Sequence, residues 1–185
     1  MKTEKEKMLA GELYDANNDS QLIQEREYCK ALCYDLNQLH PDKKEQKQNL
    51  IRQILGSCGN SFLIEPSFYC DYGYNITIGE NFYANHNLII LDGAKVTFGS
   101  NVFIAPNCSF YTAGHPLDVA SRNAGLEYAR PITVGDNVWI GGGVTVLPGV
   151  TIGEGSTIGA GSVVVKDIPA NSLAVGNPCR VIRKL

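Results

Sequence analysis

The feature that most constrains the fold is a six-residue repeat in the C-terminal half of the chain. Six β-branched aliphatic residues follow one another at intervals of six: Val134, Ile140, Val146, Ile152, Ile158 and Val164. An α-helix repeats every 3.6 residues and a single strand every 2, so neither produces this spacing. A chain that turns a corner every six residues produces this spacing. Three six-residue sides close one triangular coil, and each coil stacks on the next.

The same phase continues upstream, on the far side of one interruption. The positions that keep it are Ile78, Ala84 and Ile90 and, after a shift of two residues, Phe98, Ile104 and Phe110. Ile104 and Val134 are separated by a multiple of six, so the segment 111–131 is predicted to leave the wall as a loop and to return in phase. The sequence therefore predicts a solenoid with one excursion loop.

The chain divides into a helical head, residues 1–57, and a glycine-rich body, residues 58–185. The head is highly charged and has a single glycine, Gly11, before Gly56. Its apolar residues recur at helical spacing, which predicts helices over 3–13 and 21–39 and a third that starts at Pro41–Asp42 and ends at Gly56. Three short helices are too few for a core of their own, so we expect them to pack on the body.

Composition excludes several classes of function. The formal net charge of −3 argues against nucleic acid or an anionic membrane as the partner. No apolar run is long enough to span a bilayer, and the N-terminus lacks the apolar stretch of a signal peptide, so we expect a cytoplasmic protein. The six cysteines include no CxxC pair, which predicts reduced thiols and no metal site.

Six segments together carry a family resemblance: MLAGELYDANND, NFYAN, GHP, GLEY, ITVGDNVWIGGGVTVLPGVTIG and GNPCRVIRKL. They resemble the maltose and galactoside O-acetyltransferases among the hexapeptide-repeat acyltransferases. The resemblance implies an all-β left-handed parallel β-helix, a hexapeptide-repeat prism with a small α-helical N-terminal segment. It also implies a homotrimer with its sites between subunits. The implied reaction moves an acetyl group from acetyl-CoA to a sugar hydroxyl, such as the 6-hydroxyl of maltose, glucose or a galactoside, in a direct ternary complex.

A sugar hydroxyl must lose its proton as it attacks the thioester, and histidine is the natural base for that step. Of the three histidines, His115 lies in the excursion loop and matches the GHP of the family, so it is the predicted general base. The resemblance places Asn85 beside the acceptor and the Gly142 N–H at the oxyanion. Glu127 is expected either to orient His115 or to bind a sugar hydroxyl.

The remaining predicted site residues follow from the same resemblance. Those expected to bind the acceptor sugar, besides Asn85 and Glu127, are Asp15, Arg26, Asp71, Tyr83, Asp92 and Phe103. Those expected to bind the coenzyme, besides Gly142, are Ala105, Trp139, Ala160, Val165, Lys166, Arg180 and Arg183. The basic residues crowd the C-terminal end, where phosphate groups are their expected partners.

Three other functions compete with this interpretation. One is a hexapeptide acyltransferase for another acceptor, such as an antibiotic or an amino sugar. The second is a non-catalytic β-helix scaffold, which CoA binding would separate from an enzyme. The third is a carbonic anhydrase, which needs three histidine ligands where the body supplies only His86 and His115.

Overall fold

The structure is a computed structural model that describes residues 1–185, and its body is a prism with three sheets as faces. The first face contains β2 (Ser57–Cys58), β5 (Ile76–Ile78), β8 (Val96–Phe98), β13 (Ile132–Val134) and β16 (Thr151–Ile152). The second contains β3 (Phe62–Ile64), β6 (Phe82–Ala84), β9 (Phe103–Ile104), β14 (Trp139–Ile140), β17 (Thr157–Ile158), β19 (Ser172–Val175) and β20 (Arg180–Lys184). The third contains β4 (Phe68–Cys70), β7 (Leu88–Leu91), β10 (Ser109–Tyr111), β15 (Thr145–Val146) and β18 (Val163–Val164).

The six-residue repeat forms the core, as predicted. Val134 pairs with Phe98 on one side and with Ile152 on the other, and Ile140 pairs with Ile104 and Ile158 in the same way. All six repeat aliphatics are buried, with at most 1% of their surface exposed. Each such side chain stabilises the fold by roughly 1.5–3 kcal/mol when it is fully buried. The parallel pairing therefore stacks aliphatic ladders along the axis of the prism.

Asparagine, as well as glycine, turns the corners of the prism. Every non-glycine residue with a positive φ is an asparagine, a residue type that tolerates the left-handed region. The corner amides also stack: Asn81 Nδ2 donates to Asn101 Oδ1 at 3.1 Å, and Asn101 Nδ2 donates to Asn137 Oδ1 at 3.2 Å. The six-residue repeat predicts the corners but does not indicate these asparagine ladders.

The head contains α1 (Glu4–Leu9), α2 (Ser20–Gln38) and α3 (Lys44–Ile54), and it packs on the body as expected. Two predicted bounds were wrong. The first helix ends at Leu9 because Gly11 adopts a φ of +72°, after which the chain extends into a strand. The third helix does not begin at Pro41–Asp42, since these residues lie in a turn that the Lys43 N–H closes on the His40 carbonyl.

The excursion loop is a structured hairpin. The strands β11 (Ala113–Gly114) and β12 (Leu126–Ala129) pair antiparallel, with α4 (Val119–Asn123) between them. The outer side of β12 pairs with β1 (Tyr14–Asp15) of the head. Ile132 then rejoins the first face in register with Val96, so the predicted return in phase is confirmed. None of the helices has the length and apolar character needed to cross a membrane.

Candidate active site

His115 comes directly after β11 and faces the opposite strand of the hairpin. Its Nδ1 lies 2.9 Å from the carbonyl oxygen of Leu126. Because a carbonyl oxygen can only accept, Nδ1 carries the proton and the lone pair of the neutral ring lies at Nε2. The side chain is 47% exposed, so Nε2 is open to a ligand. The arrangement can take a proton from a hydroxyl group held beside the loop.

Glu127 is the charged neighbour of the histidine ring. Its Oε1 lies 3.9 Å from His115 Nε2, too far for a hydrogen bond but close enough for charge attraction once the ring is protonated. Its Oε2 accepts a hydrogen bond of 3.0 Å from the hydroxyl of Tyr14, the residue opposite it in the β1–β12 pair. Burial and the nearby Glu127 charge raise the pKa of Tyr14, so this hydroxyl remains a donor. The head therefore fixes the carboxylate beside His115.

Asp71 and Asp92 follow strands of the third face, at the edge where the excursion loop also leaves the wall. Burial raises the pKa of Asp71, an effect that the nearby Arg26 opposes. Asp92 has no exposed surface, and its Oδ1 accepts from the N–H groups of Asp71 and Tyr72 at 3.0 and 2.8 Å. Asp92 therefore positions the backbone that carries Asp71, and its own carboxylate is buried.

Arg26 and Asp15 bring the head to this edge, but their side chains are largely occupied. Arg26 donates to the Tyr72 hydroxyl at 2.9 Å and to the Ala16 carbonyl at 2.6 Å. The carboxylate of Asp15 accepts from the side chain and backbone of Asn18 and from the backbone of Asn17, and these contacts lower its pKa. Both residues therefore hold the segment that carries Tyr14 in place.

An exposed aromatic ladder crosses the second face. Tyr83, Phe103 and Trp139 are successive cross-strand partners on β6, β9 and β14. Phe103 is 50% exposed and Trp139 is 56% exposed. With Asn85 and Ala105 they line a shallow groove of about 340 Å³. Aromatic side chains on the outer surface of a repeat protein do not contribute to its core, and this groove can hold a long, partly apolar ligand.

Of the three consecutive glycines, Gly142 is the one that packing does not explain. At Gly141 a Cβ would lie 2.6 Å from the backbone nitrogen of Ala160, and Gly143 adopts a φ of +70°. At Gly142 the nearest atom to an added Cβ, the Pro106 carbonyl oxygen, is 3.4 Å away. The Gly142 N–H also donates no hydrogen bond within the chain. It is a free backbone donor of the kind that stabilises an oxyanion.

Asn85, Ala105, Gly142 and Ala160 all lie at a single edge of the prism. They follow β6, β9, β14 and β17 of the second face, and we call this corner the Asn85 edge. The Asn85 Oδ1 accepts the N–H of His86 at 2.8 Å, which is the local turn contact common for a corner asparagine, and its side-chain N–H₂ group remains free. The edge thus offers free donors at both Asn85 and Gly142.

The predicted basic residues lie at the C-terminal end of the prism. Arg180 and Arg183 are on β20, which closes the same sheet that carries Trp139, and both are exposed. Val165 and Lys166 are exposed beyond the end of β18 on the third face. The second face therefore presents apolar surface in its middle and positive charge at one end.

The predicted site residues form two groups on different edges of one chain. Asp71, Asp92 and His115 follow the third face, and we call that corner the His115 edge. It lies one face away from the Asn85 edge, and no hydrogen bond or ion pair joins His115 or Glu127 to Asn85 or Gly142. A single chain does not bring the histidine to the free backbone donor.

The sequence interpretation missed the two groups that hold the His115 ring and the Glu127 carboxylate in place. The Leu126 carbonyl, and not Glu127, sets the orientation of His115. Tyr14 holds Glu127, although these residues are 113 positions apart. A backbone carbonyl leaves no signal in a sequence, and the pairing of β1 with β12 crosses from the head to the loop.

Comparison with known proteins identifies the family. Residues 7–59 match the maltose acetyltransferase hexapeptide capping motif, and residues 131–166 match the bacterial transferase hexapeptide model of six repeats. A protein from Saccharomyces cerevisiae that is named as an acetyltransferase is 61% identical over 180 residues, which cover 97% of this chain and 92% of the yeast protein.

Two solved structures resemble the chain over its whole length. A maltose O-acetyltransferase from Clostridium difficile 630 is 55% identical with a TM-score of 0.98, covering 100% of this chain and 98% of that one. A galactoside acetyltransferase in complex with coenzyme A is 46% identical with a TM-score of 0.96, covering 100% of this chain and 92% of that one. The left-handed parallel β-helix expected from the resemblance is therefore confirmed. The chain belongs to the hexapeptide-repeat acetyltransferases of the maltose and galactoside acetyltransferase type.

Proposed function

We propose that this acetyltransferase moves the acetyl group of acetyl-CoA to a sugar hydroxyl, with His115 as the general base. The observation that carries the proposal is the hydrogen bond from His115 Nδ1 to the Leu126 carbonyl. It fixes the tautomer in which Nε2 accepts a proton, and it holds the ring at the mouth of a structured loop. A maltose O-acetyltransferase and a galactoside acetyltransferase among its neighbours support a sugar as the acceptor.

The chemistry proceeds in one complex that contains both substrates. His115 Nε2 takes the proton of the acceptor hydroxyl as its oxygen forms a bond to the thioester carbonyl carbon. Glu127, 3.9 Å from Nε2, stabilises the imidazolium that results. The Gly142 N–H donates to the oxyanion of the tetrahedral intermediate. When the carbon–sulfur bond breaks, the CoA thiolate takes the proton back from His115, which restores the neutral ring.

The second face supplies the binding site for acetyl-CoA in this proposal. The exposed Trp139 ring, with Ala105 beside it in the groove, suits the pantetheine arm, and Phe103 on the same ladder remains the residue proposed to contact the acceptor sugar. The free donor at Gly142 lies at the adjoining edge. Arg180 and Arg183 at the end of the same sheet suit the phosphates. The coenzyme A complex of the galactoside acetyltransferase supports the choice of carrier.

A complete site needs a second copy of the chain. The base and the free donor are on different edges of one prism, so we propose a homotrimer in which the His115 edge of one subunit meets the Asn85 edge of the next. Cyclic symmetry then repeats the same contact three times and leaves no site incomplete. Asn85, with its free N–H₂ group, would hold the acceptor hydroxyl in register with the neighbouring histidine. We further propose the primary 6-hydroxyl as the position acetylated, because it is the least hindered.

The test is CoA release from acetyl-CoA with maltose, glucose, a thiogalactoside and chloramphenicol in parallel. Wild type is compared with His115→Ala and with the matched control His40→Ala, which removes an exposed histidine of the head. We expect release that depends on a sugar and falls by at least about 100-fold in His115→Ala alone. NMR spectroscopy of the product identifies the acetylated position. Release with chloramphenicol alone, or no release with any acceptor while CoA still binds, would contradict the proposal.

A further inference from the structure

Three of the six cysteines meet where the head packs on the body. Cys29 and Cys33 lie one turn apart on α2, and Cys70 ends β4. Cys70 Sγ is 3.4 Å from Cys29 Sγ and 3.8 Å from Cys33 Sγ, and all three sulfur atoms lie within 4.8 Å of one another. No disulfide joins them. The other three cysteines lie outside this cluster.

The separations match those of thiolates around a single metal ion. The point equidistant from the three sulfur atoms lies no more than about 2.4 Å from each, close to the zinc–sulfur bond of about 2.3 Å. Cysteines four residues apart on a helix present both sulfurs to one side, so the third ligand can come from the strand packed against them. The protein therefore brings three sulfur ligands together without a movement of the backbone.

The three cysteines are buried, but two of them border a cavity. Cys29, Cys33 and Cys70 are at most 5% exposed. Cys33 and Cys70 form part of the wall of a cavity of about 430 Å³, which Lys30 and Asp71 also line. An ion could enter through this cavity, and the cavity leaves room for a fourth ligand such as water. Three protein ligands with one open position is a common arrangement for zinc.

Charge balance favours three thiolates with a bound divalent cation over three thiolates without one. Three thiolates in a buried cluster need a compensating positive charge. A divalent cation supplies it and leaves one net negative charge, with the Lys30 ammonium on the cavity wall nearby.

We propose that Cys29, Cys33 and Cys70 form a three-thiolate site for a thiophilic divalent cation, with Zn²⁺ as the physiological ion and its fourth position open to the cavity. The site joins α2 of the head to β4 of the body, so the bound ion stabilises the packing of the head. An ion that binds only the folded chain raises its melting temperature by mass action. The sequence-based expectation of no metal site rested on the missing CxxC motif, but Cys33 and Cys70 are 37 residues apart and meet only in the fold.

The test is titration of the full-length chain with Cd²⁺, after purification with a reductant and a chelator. We expect one equivalent per chain, an ultraviolet sulfur-to-metal charge-transfer band, protection of three thiols from alkylation and a higher melting temperature. Cys33→Ser and Cys70→Ser should abolish the band. The matched control Cys58→Ser, which changes a cysteine outside the cluster, should keep it.

One further measurement does not depend on a variant that folds. X-ray absorption of the Zn²⁺-loaded wild type should count three sulfur neighbours at about 2.3 Å. No charge-transfer band in wild type, or a band that survives in both Cys33→Ser and Cys70→Ser, would overturn the proposal. Recovery of the anaerobically purified chain with a Cys29–Cys70 disulfide would also overturn it, because the pair would then be a redox couple.

Discussion

Replacement of Glu127 by glutamine tests the proposal that this carboxylate stabilises the protonated ring of His115. Glutamine keeps an oxygen that can accept from the Tyr14 hydroxyl, so the packing of the head against the loop is preserved while the charge is removed. The charge lies 3.9 Å from His115 Nε2. At an effective dielectric constant of 20 this attraction is about 4 kcal/mol, and in bulk water about 1 kcal/mol.

The true value lies between these limits, because Glu127 is 20% exposed and His115 is 47% exposed. We therefore expect Glu127→Gln to lower kcat/KM by about 5- to 700-fold, at 1.4 kcal/mol for each factor of ten. The loss should fall on kcat, since the imidazolium exists only after the proton has moved.

Steady-state kinetics with the preferred sugar at saturating acetyl-CoA measure this effect. The matched control is Glu154→Gln, which removes an exposed carboxylate from a different corner of the prism. A higher KM for the sugar with an unchanged kcat would show that Glu127 binds the acceptor. A change below about twofold in both constants would show that the carboxylate does not act on the reaction, and the reasoning would fail.

Three further predictions follow from the geometry of the two edges. Gly142→Ala should fold normally but lose kcat, because its new Cβ has room within the chain and lies beside the N–H proposed to hold the oxyanion. Gly141→Ala should instead destabilise the chain by at least about 2 kcal/mol, because its Cβ would overlap the neighbouring coil; melting curves and initial rates separate the two variants. Trp139→Ala should raise the KM for acetyl-CoA at least about fivefold, because the ring is proposed to contact the coenzyme. The melting temperature should not fall, because the ring is 56% exposed and adds little to the core. A lower melting temperature with an unchanged KM would contradict this prediction. Burial raises the pKa of Asp92 to about 7, so between about pH 4 and pH 7 the folded chain binds more protons than the unfolded chain, and its free energy of unfolding should fall as the pH rises through this range. Denaturant titration should show a smaller fall in Asp92→Asn, and an unchanged dependence of the unfolding free energy on pH would refute the assignment.

The fold of the body was predictable from the sequence because the six-residue repeat follows directly from the geometry of the coil. A coil that turns every six residues must place one large aliphatic residue inward per side, so Val134 and Ile140 could be assigned to the core from the repeat alone. The return of the chain at Ile132 followed from the same arithmetic. The shift of two residues between Ile90 and Phe98 was visible, although its cause, the buried turn that carries Asp92, was not.

The site was predictable only in part, because its geometry comes from contacts that no local pattern encodes. The pairing of Tyr14 with Glu127 and the bond from His115 to the Leu126 carbonyl both depend on how the excursion loop folds back on itself and on the head. The burial of Asp92 could not be read from its charge, since buried carboxylates are exceptions that need backbone donors. Gly142 differs from its neighbouring glycines only once the adjacent coils are in place.

The measurement that tests the central claim most directly is subunit complementation between two inactive variants. His115→Ala and Asn85→Ala are co-expressed and the mixed oligomers are assayed for sugar-dependent CoA release. If the His115 edge of one subunit meets the Asn85 edge of the next, random mixing of equal amounts restores about one quarter of the wild-type activity. At each contact the two variants can be combined in four ways, and only one of them joins an intact His115 edge to an intact Asn85 edge. Activity no higher than the sum of the two variants assayed alone would contradict a site shared between subunits.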